Sequence, residues 1–142
     1  MDTRDAFDLQ RFVDAQAPVY ATALAELHAG DKRTHWMWFV FPQHEALGRS
    51  GMARRYGLRS LDEACAYWKH PLLGARLREC CEALMQVENL SAHDILGSPD
   101  DLKLRSCLTL FELAAPEEPL FARLLDRYYG GDRDERTLAL CG

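Results

Sequence analysis

Residues 30–48 read GDKRTHWMWFVFPQHEALG and hold two of the three tryptophans of the chain. A polar, cationic lead-in runs directly into a dense aromatic block. Within Thr34–Phe41 both alternating sets of residues are apolar, a pattern that fits either a fully buried strand or a short buried helix capped by Thr34. Because no second convincing strand exists elsewhere to pair with it, we predict a short helix that stops before Pro42.

Helix signals continue outward from this stretch on both sides. Gly30 suits the left-handed residue that follows a helix, Ser60 and Glu63 form a capping box, and Pro71 suits a first helical position. The predicted helices are Asp5–Ala15, Pro18–Ala29, Thr34–Phe41, one or two turns over Ser50–Tyr56, Ser60–Lys69, Pro71–Val87, a short turn over Ser91–Gly97, Ser98–Ala114 with Ser98 as its cap, Leu120–Tyr129 and a final turn over Thr137–Cys141. We therefore predict an all-α fold, a compact single-domain bundle of roughly six to eight helices that spans residues 1–142.

Composition bounds the class of protein. The 142 residues are 48% hydrophobic and carry a formal net charge of -5, which suits one globular domain and argues against nucleic-acid binding by the whole surface. No apolar run approaches the length of about 20 residues that a membrane helix needs. The cysteines are odd in number and include no C-x-x-C pair, and Met1–Gln10 is polar, so we expect reduced thiols, no secretory signal and a cytoplasmic protein.

The charge is unevenly distributed along the chain. Between Gly30 and Arg59 there are six lysines and arginines but only two carboxylates, whereas the remainder is acidic. This local excess permits an anion site, and it equally fits a solvated face that carries several arginines.

These residues also carry a resemblance to a known family. The shared blocks are Arg11-Phe12, Ala15-Gln16, Tyr20, Gly30, Lys32, His35-Trp36-Met37-Trp38-Phe39, Phe41-Pro42-Gln43, Leu47-Gly48-Arg49-Ser50, Tyr56, Glu63-Ala64, His70-Pro71, Leu73-Gly74, Arg76-Leu77, Asp101-Leu102-Lys103, Ser106, Thr109-Leu110-Phe111 and Gly130-Gly131-Asp132 with Thr137. Through these blocks the chain resembles the domain-of-unknown-function 1810 family, which is a set of uncharacterised helical proteins. The resemblance implies an all-helical single domain and supplies no activity. Some members are labelled calpastatin, a largely disordered inhibitor that the helix caps and apolar fraction of this chain do not fit.

Five residues of the distinctive blocks form the candidate ligand site. Lysines hold anions as point charges, a histidine exchanges a proton or donates hydrogen bonds near neutral pH, a glutamine recognises an amide or base edge, and a tryptophan stacks on a flat ring. The candidates are Lys32, His35, Trp36, Gln43 and Lys103. Packing is the competing explanation, since dense tryptophans usually fill a core and Lys32 can pair with Asp101.

No motif assigns a catalytic residue, a metal or a cofactor. Ser106 lacks a G-x-S-x-G context, the cysteines lack an informative spacing to a histidine, and no histidines stand four residues apart on a helix. Two hypotheses remain. In the first, a small anionic, nucleotide-like ligand binds or reacts where residues 30–50 meet the helix at Asp101–Ser106. In the second, the chain is a non-enzymatic helical interaction module with a structural aromatic block, and its protein partner is unknown.

Overall fold

The computed structural model describes residues 5–142, which contain ten α-helices, one 3-10 turn and no strand. The helices are α1 (Gln10–Gln16), α2 (Tyr20–Ala29), α3 (Met37–Val40), α4 (Gly51–Arg55), α5 (Leu61–Lys69), α6 (Pro71–Gln86), α7 (Ala92–Leu96), α8 (Asp100–Ala114), α9 (Pro119–Tyr129) and α10 (Glu135–Cys141), and the 3-10 turn is Glu45–Leu47. The all-α prediction is confirmed over this range. The ten described helices slightly exceed the predicted six to eight, and seven of them are longer than five residues. No described helix is both long enough and apolar enough to cross a membrane.

Helix α8 lies at the centre of the packing. It contacts α5, α7, α9 and α10, and its six consecutive residues from Ser106 to Phe111 are all buried. A helix that is buried on nearly every side must be covered by its neighbours, and the rings of Phe111 and Phe121 join α8 to α9 with centroids 5.8 Å apart. The ends of α8 are half-buried, and Leu102 in its first turn is its one exposed residue. The expectation of one domain over residues 1–142 stays a prediction.

Several predicted helix ends are found where the local chemistry put them, but α1 begins at Gln10 and not at Asp5, because Asp8 has a positive φ of 54°, and α2 begins at Tyr20 and not at Pro18. Ser91 forms a reciprocal capping box, and Gly30 is left-handed with φ 68°.

The predicted capping box at Ser60 is half formed: its hydroxyl accepts the Glu63 N–H, but the Glu63 carboxylate accepts the N–H of Arg59. The prediction that Ser98 caps α8 is wrong. The helix begins one residue beyond Pro99, without a side-chain cap, because the backbone carbonyl of Gly97 accepts the N–H of Asp101 at 2.9 Å.

The aromatic stretch folds into a shorter helix than predicted. Only Met37–Val40 is helical, and Thr34 does not cap it, because its hydroxyl donates to Glu26 Oε2 at 2.8 Å. The buried indole of Trp36 donates to Glu26 Oε1 at 2.9 Å. Burial alone would raise the pKa of the Glu26 carboxyl, but the hydrogen bonds from Trp36 and from the backbone and side chain of residues 33 and 34 together lower it to about 2.

Two close backbone approaches shape the loop between α3 and α5. A Cβ on Gly48 would lie 2.9 Å from the carbonyl carbon of Ala53, and one on Gly57 would lie 2.5 Å from the Cα of Glu45. Glycine is therefore required at both positions for the 3-10 turn to pack against α4 and the residues that follow it. His44 caps that turn, because its side chain accepts the Ala46 N–H.

Candidate functional site

A cavity of about 500 Å³ opens beside the exposed start of α8. Its lining comes from three stretches that are distant in the sequence: Gln43, Leu47, Gly48, Arg49, Ser50 and Ala53; Pro99, Leu102, Lys103, Arg105 and Ser106; and Asp134 and Arg136. The sequence hypothesis put a ligand site at the meeting of the first two stretches. The cavity lies at that meeting and gains a third wall from the start of α10.

The cavity wall is strongly cationic. Four of its side chains are lysine or arginine, and only one is a carboxylate. Among residues 5–142, Arg49 and Arg136 have no carboxylate within ion-pair distance, and both are exposed. A concave, cationic surface on an acidic chain concentrates positive potential where an anion would enter.

Arg105 and Lys103, each with a side chain 26% exposed, are the less exposed cations of this wall. The Arg105 side chain donates from Nη1 to Asp132 Oδ2 at 3.0 Å, and its Nη2 lies 3.8 Å from Asp134 Oδ1. Its Nε is buried and has no hydrogen-bond partner among the described residues. An unsatisfied buried donor is costly, and an acceptor from outside the chain would satisfy this N–H once the Arg105 side chain shifts to expose it.

The start of α10 is fixed firmly against α8. Asp134 caps α10 by accepting the backbone N–H of Thr137 at 3.0 Å and its hydroxyl at 2.6 Å. The Thr109 hydroxyl of α8 accepts the N–H of Asp134 at 3.0 Å. The chain reaches this position through Gly130 and Gly131, both with positive φ. The predicted start of this helix at Thr137 is therefore late, because the cap is Asp134.

The lysines of the site share one carboxylate. Asp100 Oδ2 lies 3.0 Å from Lys32 Nζ, and Asp100 Oδ1 lies 3.6 Å from Lys103 Nζ. Lys32 therefore pairs with Asp100 and not with Asp101, whose carboxylate lies 3.5 Å from His93 Nδ1. One carboxylate between two ammonium groups leaves the trio positively charged.

A smaller depression continues the cavity toward the aromatic stretch. It shares Gln43, Ala53 and Lys103 with the larger cavity and adds Trp38 and Tyr56 to the wall. The side-chain amide of Gln43 makes no hydrogen bond with any described residue. The Lys103 ammonium lies 5.9 Å from the centroid of a Trp38 ring. An amide and an aromatic face therefore adjoin the cationic end.

The structure separates the five predicted site residues into three groups. Gln43 and Lys103 line the cavity, and Lys32 reaches it indirectly through Asp100. His35 is exposed and is not part of the lining, and Trp36 is fully buried, with its indole hydrogen-bonded to Glu26. Whether any of the five binds a ligand stays a prediction.

The five candidates include only one of the five charged lining residues, Lys103, and leave out Arg49, Arg105, Asp134 and Arg136. Arg105, Asp134 and Arg136 lie outside the segment of local positive charge, and α10 meets α8 only through tertiary packing. One signal was available: Leu102, Arg105 and Ser106 follow each other at the i, i+3 and i+4 spacing of one helix face.

The cysteine thiols and the Ser106 hydroxyl have no histidine or carboxylate as a hydrogen-bond partner among the described residues. Burial raises the pKa of the Cys80 thiol to about 12 and the pKa values of Cys81 and Cys107 well above the ordinary value. The Ser106 hydroxyl donates to the carbonyl of Leu102 at 3.2 Å. Within residues 5–142 no three histidine, cysteine or carboxylate side chains cluster to hold a metal ion. The arrangement is suited to holding an anion and assigns no reaction.

Comparisons with known proteins agree with the fold and add no activity. A crystal structure of the conserved hypothetical protein Rv1873 from Mycobacterium tuberculosis has a TM-score of 0.95 and 56% identity, over 96% of this chain and 98% of that one. No curated protein gives a significant match. The family described as "Protein of unknown function (DUF1810)" matches residues 6–141. The chain therefore belongs to the domain-of-unknown-function 1810 family.

Proposed function

We propose that the cavity binds a small anionic ligand that carries a planar ring, as a nucleotide does. The observation that carries the proposal is the set of four cationic side chains around one cavity, among which Arg105 keeps a buried Nε without a partner. A phosphate group accepts several hydrogen bonds at once and suits a planar guanidinium better than a single point charge.

The opposite end of the site supports the ring. Gln43 has an unused amide, and Trp38 offers an aromatic face that is only partly buried. A base edge would pair with such an amide, and a flat ring would stack on such a face once the depression beside Trp38, about 10 Å³ in volume, widens. The volume of about 500 Å³ also falls within the range of small-molecule sites.

The test is a calorimetric screen of inorganic phosphate, phenyl phosphate and adenosine monophosphate against the full chain and Lys103→Ala. We expect a phosphorylated ligand to bind the full chain and to bind Lys103→Ala about tenfold more weakly, because a charge-assisted hydrogen bond is lost. Arg123→Ala is the matched control, since it removes an exposed cation of α9 that does not line the cavity. Equal losses in the two variants, or no binding of any of the three compounds, would contradict the proposal.

The alternative is a helical interaction module without a small ligand. It draws on exposed leucines beside the site: Leu102 at the cavity edge is 51% exposed, and Leu138 and Leu140 of α10 are 38% and 46% exposed. Exposed apolar side chains can serve as protein contacts. A chain that binds none of the phosphorylated compounds but loses a protein contact on Leu102→Asp would favour this alternative.

A further inference from the structure

The carboxylate of Asp100 lies where a ligand anion would have to compete with it. It approaches Lys103 Nζ, at 3.6 Å, beside a cavity that Lys103 lines. Its other oxygen is closer to Lys32 Nζ, at 3.0 Å. One oxygen of the Asp100 carboxylate therefore faces Lys103, which lines the cavity, and the other faces Lys32, which does not.

Backbone and side-chain contacts both hold Lys32 in place beside Asp100. Its backbone N–H donates to the carbonyl of Ile95 at 2.8 Å, its ammonium lies 5.1 Å from the centroid of a Trp36 ring, and its side chain is only 6% exposed. Lys32 therefore has little freedom to reach the ligand itself. Its direct effect is on Asp100.

We infer that Asp100 is a built-in competitor for the ligand anion and that Lys32 is a positioning residue that restrains this competition, an inference that rests on the proposed function. With Lys32 present, the carboxylate is held toward the interior and Lys103 stays partly available. Without Lys32, Asp100 would have Lys103 as its remaining lysine partner, and the cavity would lose effective positive charge.

This competition also specifies the class of ligand. A carboxylate ligand carries one negative charge, so exchanging it for Asp100 at Lys103 replaces one carboxylate contact with another. A phosphomonoester carries close to two negative charges at neutral pH and has three acceptor oxygens. Its extra charge and acceptors can engage Arg105 and Arg136 while one oxygen displaces Asp100. The site should therefore prefer a phosphomonoester to a carboxylate of the same shape.

The experiment measures the affinities of phenyl phosphate and benzoate, which share a ring and differ in the acidic group, at constant ionic strength. The proteins are the full chain, Asp100→Asn, Lys32→Met and the double variant, with folding checked by circular dichroism. We expect Asp100→Asn to bind phenyl phosphate about threefold more tightly and Lys32→Met about threefold more weakly. In the Asp100→Asn background, Lys32→Met should have no effect, because no competitor remains to restrain. Benzoate should bind more weakly than phenyl phosphate to the full chain.

Each other outcome overturns the inference. If Lys32→Met weakens binding equally in both backgrounds, Lys32 acts on the ligand or on the fold and not through Asp100. If phenyl phosphate binds but Asp100→Asn does not tighten it, the competition is absent while the proposed function stands. Equal affinities for the two compounds would refute the preference for a phosphomonoester. If neither compound binds any of the four proteins, the proposed function fails with the inference.

Discussion

Arg11 and Arg105 both lie between helices and both face carboxylates, yet their guanidinium groups are satisfied to different extents. Arg11 pairs with the fully buried Glu63 at 2.9 Å and is itself nearly buried. Every guanidinium nitrogen of Arg11 donates, with backbone acceptors on residues 7, 8, 55 and 57 in addition to Glu63. Arg105 has one close partner, Asp132, one distant partner, Asp134, and an Nε with none among the described residues.

The difference shows how a structural arginine can be distinguished from one available to a ligand. Arg11 ties α1 to the loop before α5 and has no donor to spare. Arg105 lines a cavity and retains hydrogen-bonding capacity that nothing in the described chain uses. Exposure alone would not separate them clearly, since the Arg105 side chain is also only 26% exposed. The count of satisfied donors separates them.

The largest expected effect is on stability at Arg11. Arg11→Met should lower the free energy of unfolding by about 3–5 kcal/mol, because it leaves the buried Glu63 carboxylate without its ion-pair partner. Urea unfolding followed by circular dichroism measures this. Arg105→Met is the matched variant and should cost about 1 kcal/mol or less, because its carboxylate partners lie nearer to solvent. Equal costs would remove the distinction between the two arginines.

The next effect is on binding at Arg105. Arg105→Lys keeps the charge but removes the fork and the Nε, so the affinity for phenyl phosphate should fall about tenfold while the urea midpoint changes little. Calorimetry and urea unfolding on the same protein separate the two readouts. An unchanged affinity would mean that Arg105, like Arg11, is a structural residue.

Higher ionic strength should weaken ligand binding at the cavity but leave the stabilisation by the Arg11–Glu63 pair largely unchanged. Raising the salt concentration from about 0.1 M to about 1 M shortens the Debye length from about 10 Å to about 3 Å. We expect phenyl phosphate to bind severalfold more weakly at the higher concentration, since the cavity is open to solvent. The stability difference between the full chain and Arg11→Met should persist, because buried pairs are screened much less. A loss of that difference in high salt would show that the Arg11 pair is accessible to ions.

The smallest expected effect is on the pH dependence of stability at Glu26. Both oxygens of this carboxylate accept hydrogen bonds, just as every guanidinium nitrogen of Arg11 donates one. The pKa of Glu26 in the folded protein is lowered to about 2, so the unfolded state binds a proton more readily as the pH falls. The stabilisation from Glu26 should be fully present above about pH 4.5 and be lost as the pH falls toward 2. Glu26→Gln should flatten this part of the stability profile in urea unfolding, whereas Glu82→Gln, at an exposed position on α6, should not. Parallel profiles for the full chain and Glu26→Gln would contradict this assignment.

Local sequence signals anticipated most of the helices because caps act over three or four residues. Ser60, Ser91 and Gly30 each determine a helix end through contacts within one turn. Two of the misassigned ends, at Ser98 and Thr137, depend on other partners: the backbone carbonyl of Gly97 in the first case and the side chain of Asp134 in the second.

The candidate site was less accessible to sequence reasoning because it is assembled from three distant stretches. Lys103 and Gln43 stood within distinctive blocks and could be named, but the role of Arg105 depends on where α10 is anchored. Trp36 shows the opposite limitation. Its aromatic context fits both a stacking platform and, more commonly, a core residue, and the packing shows that it is fully buried and bonded to Glu26.

The two crowded glycines constrain how this cavity can diversify. Because Gly48 and Gly57 pack backbone against backbone, at 2.9 Å and 2.5 Å for a hypothetical Cβ, any side chain there would push the loop away from its neighbours. A library randomised at these two positions and selected for folding should return glycine. The same selection on a library randomised at the exposed Arg49, Met52 and Arg54 should recover many different amino acids at each position. Relatives that acquire a new ligand would therefore keep the contour of the loop and alter the charges displayed along its rim.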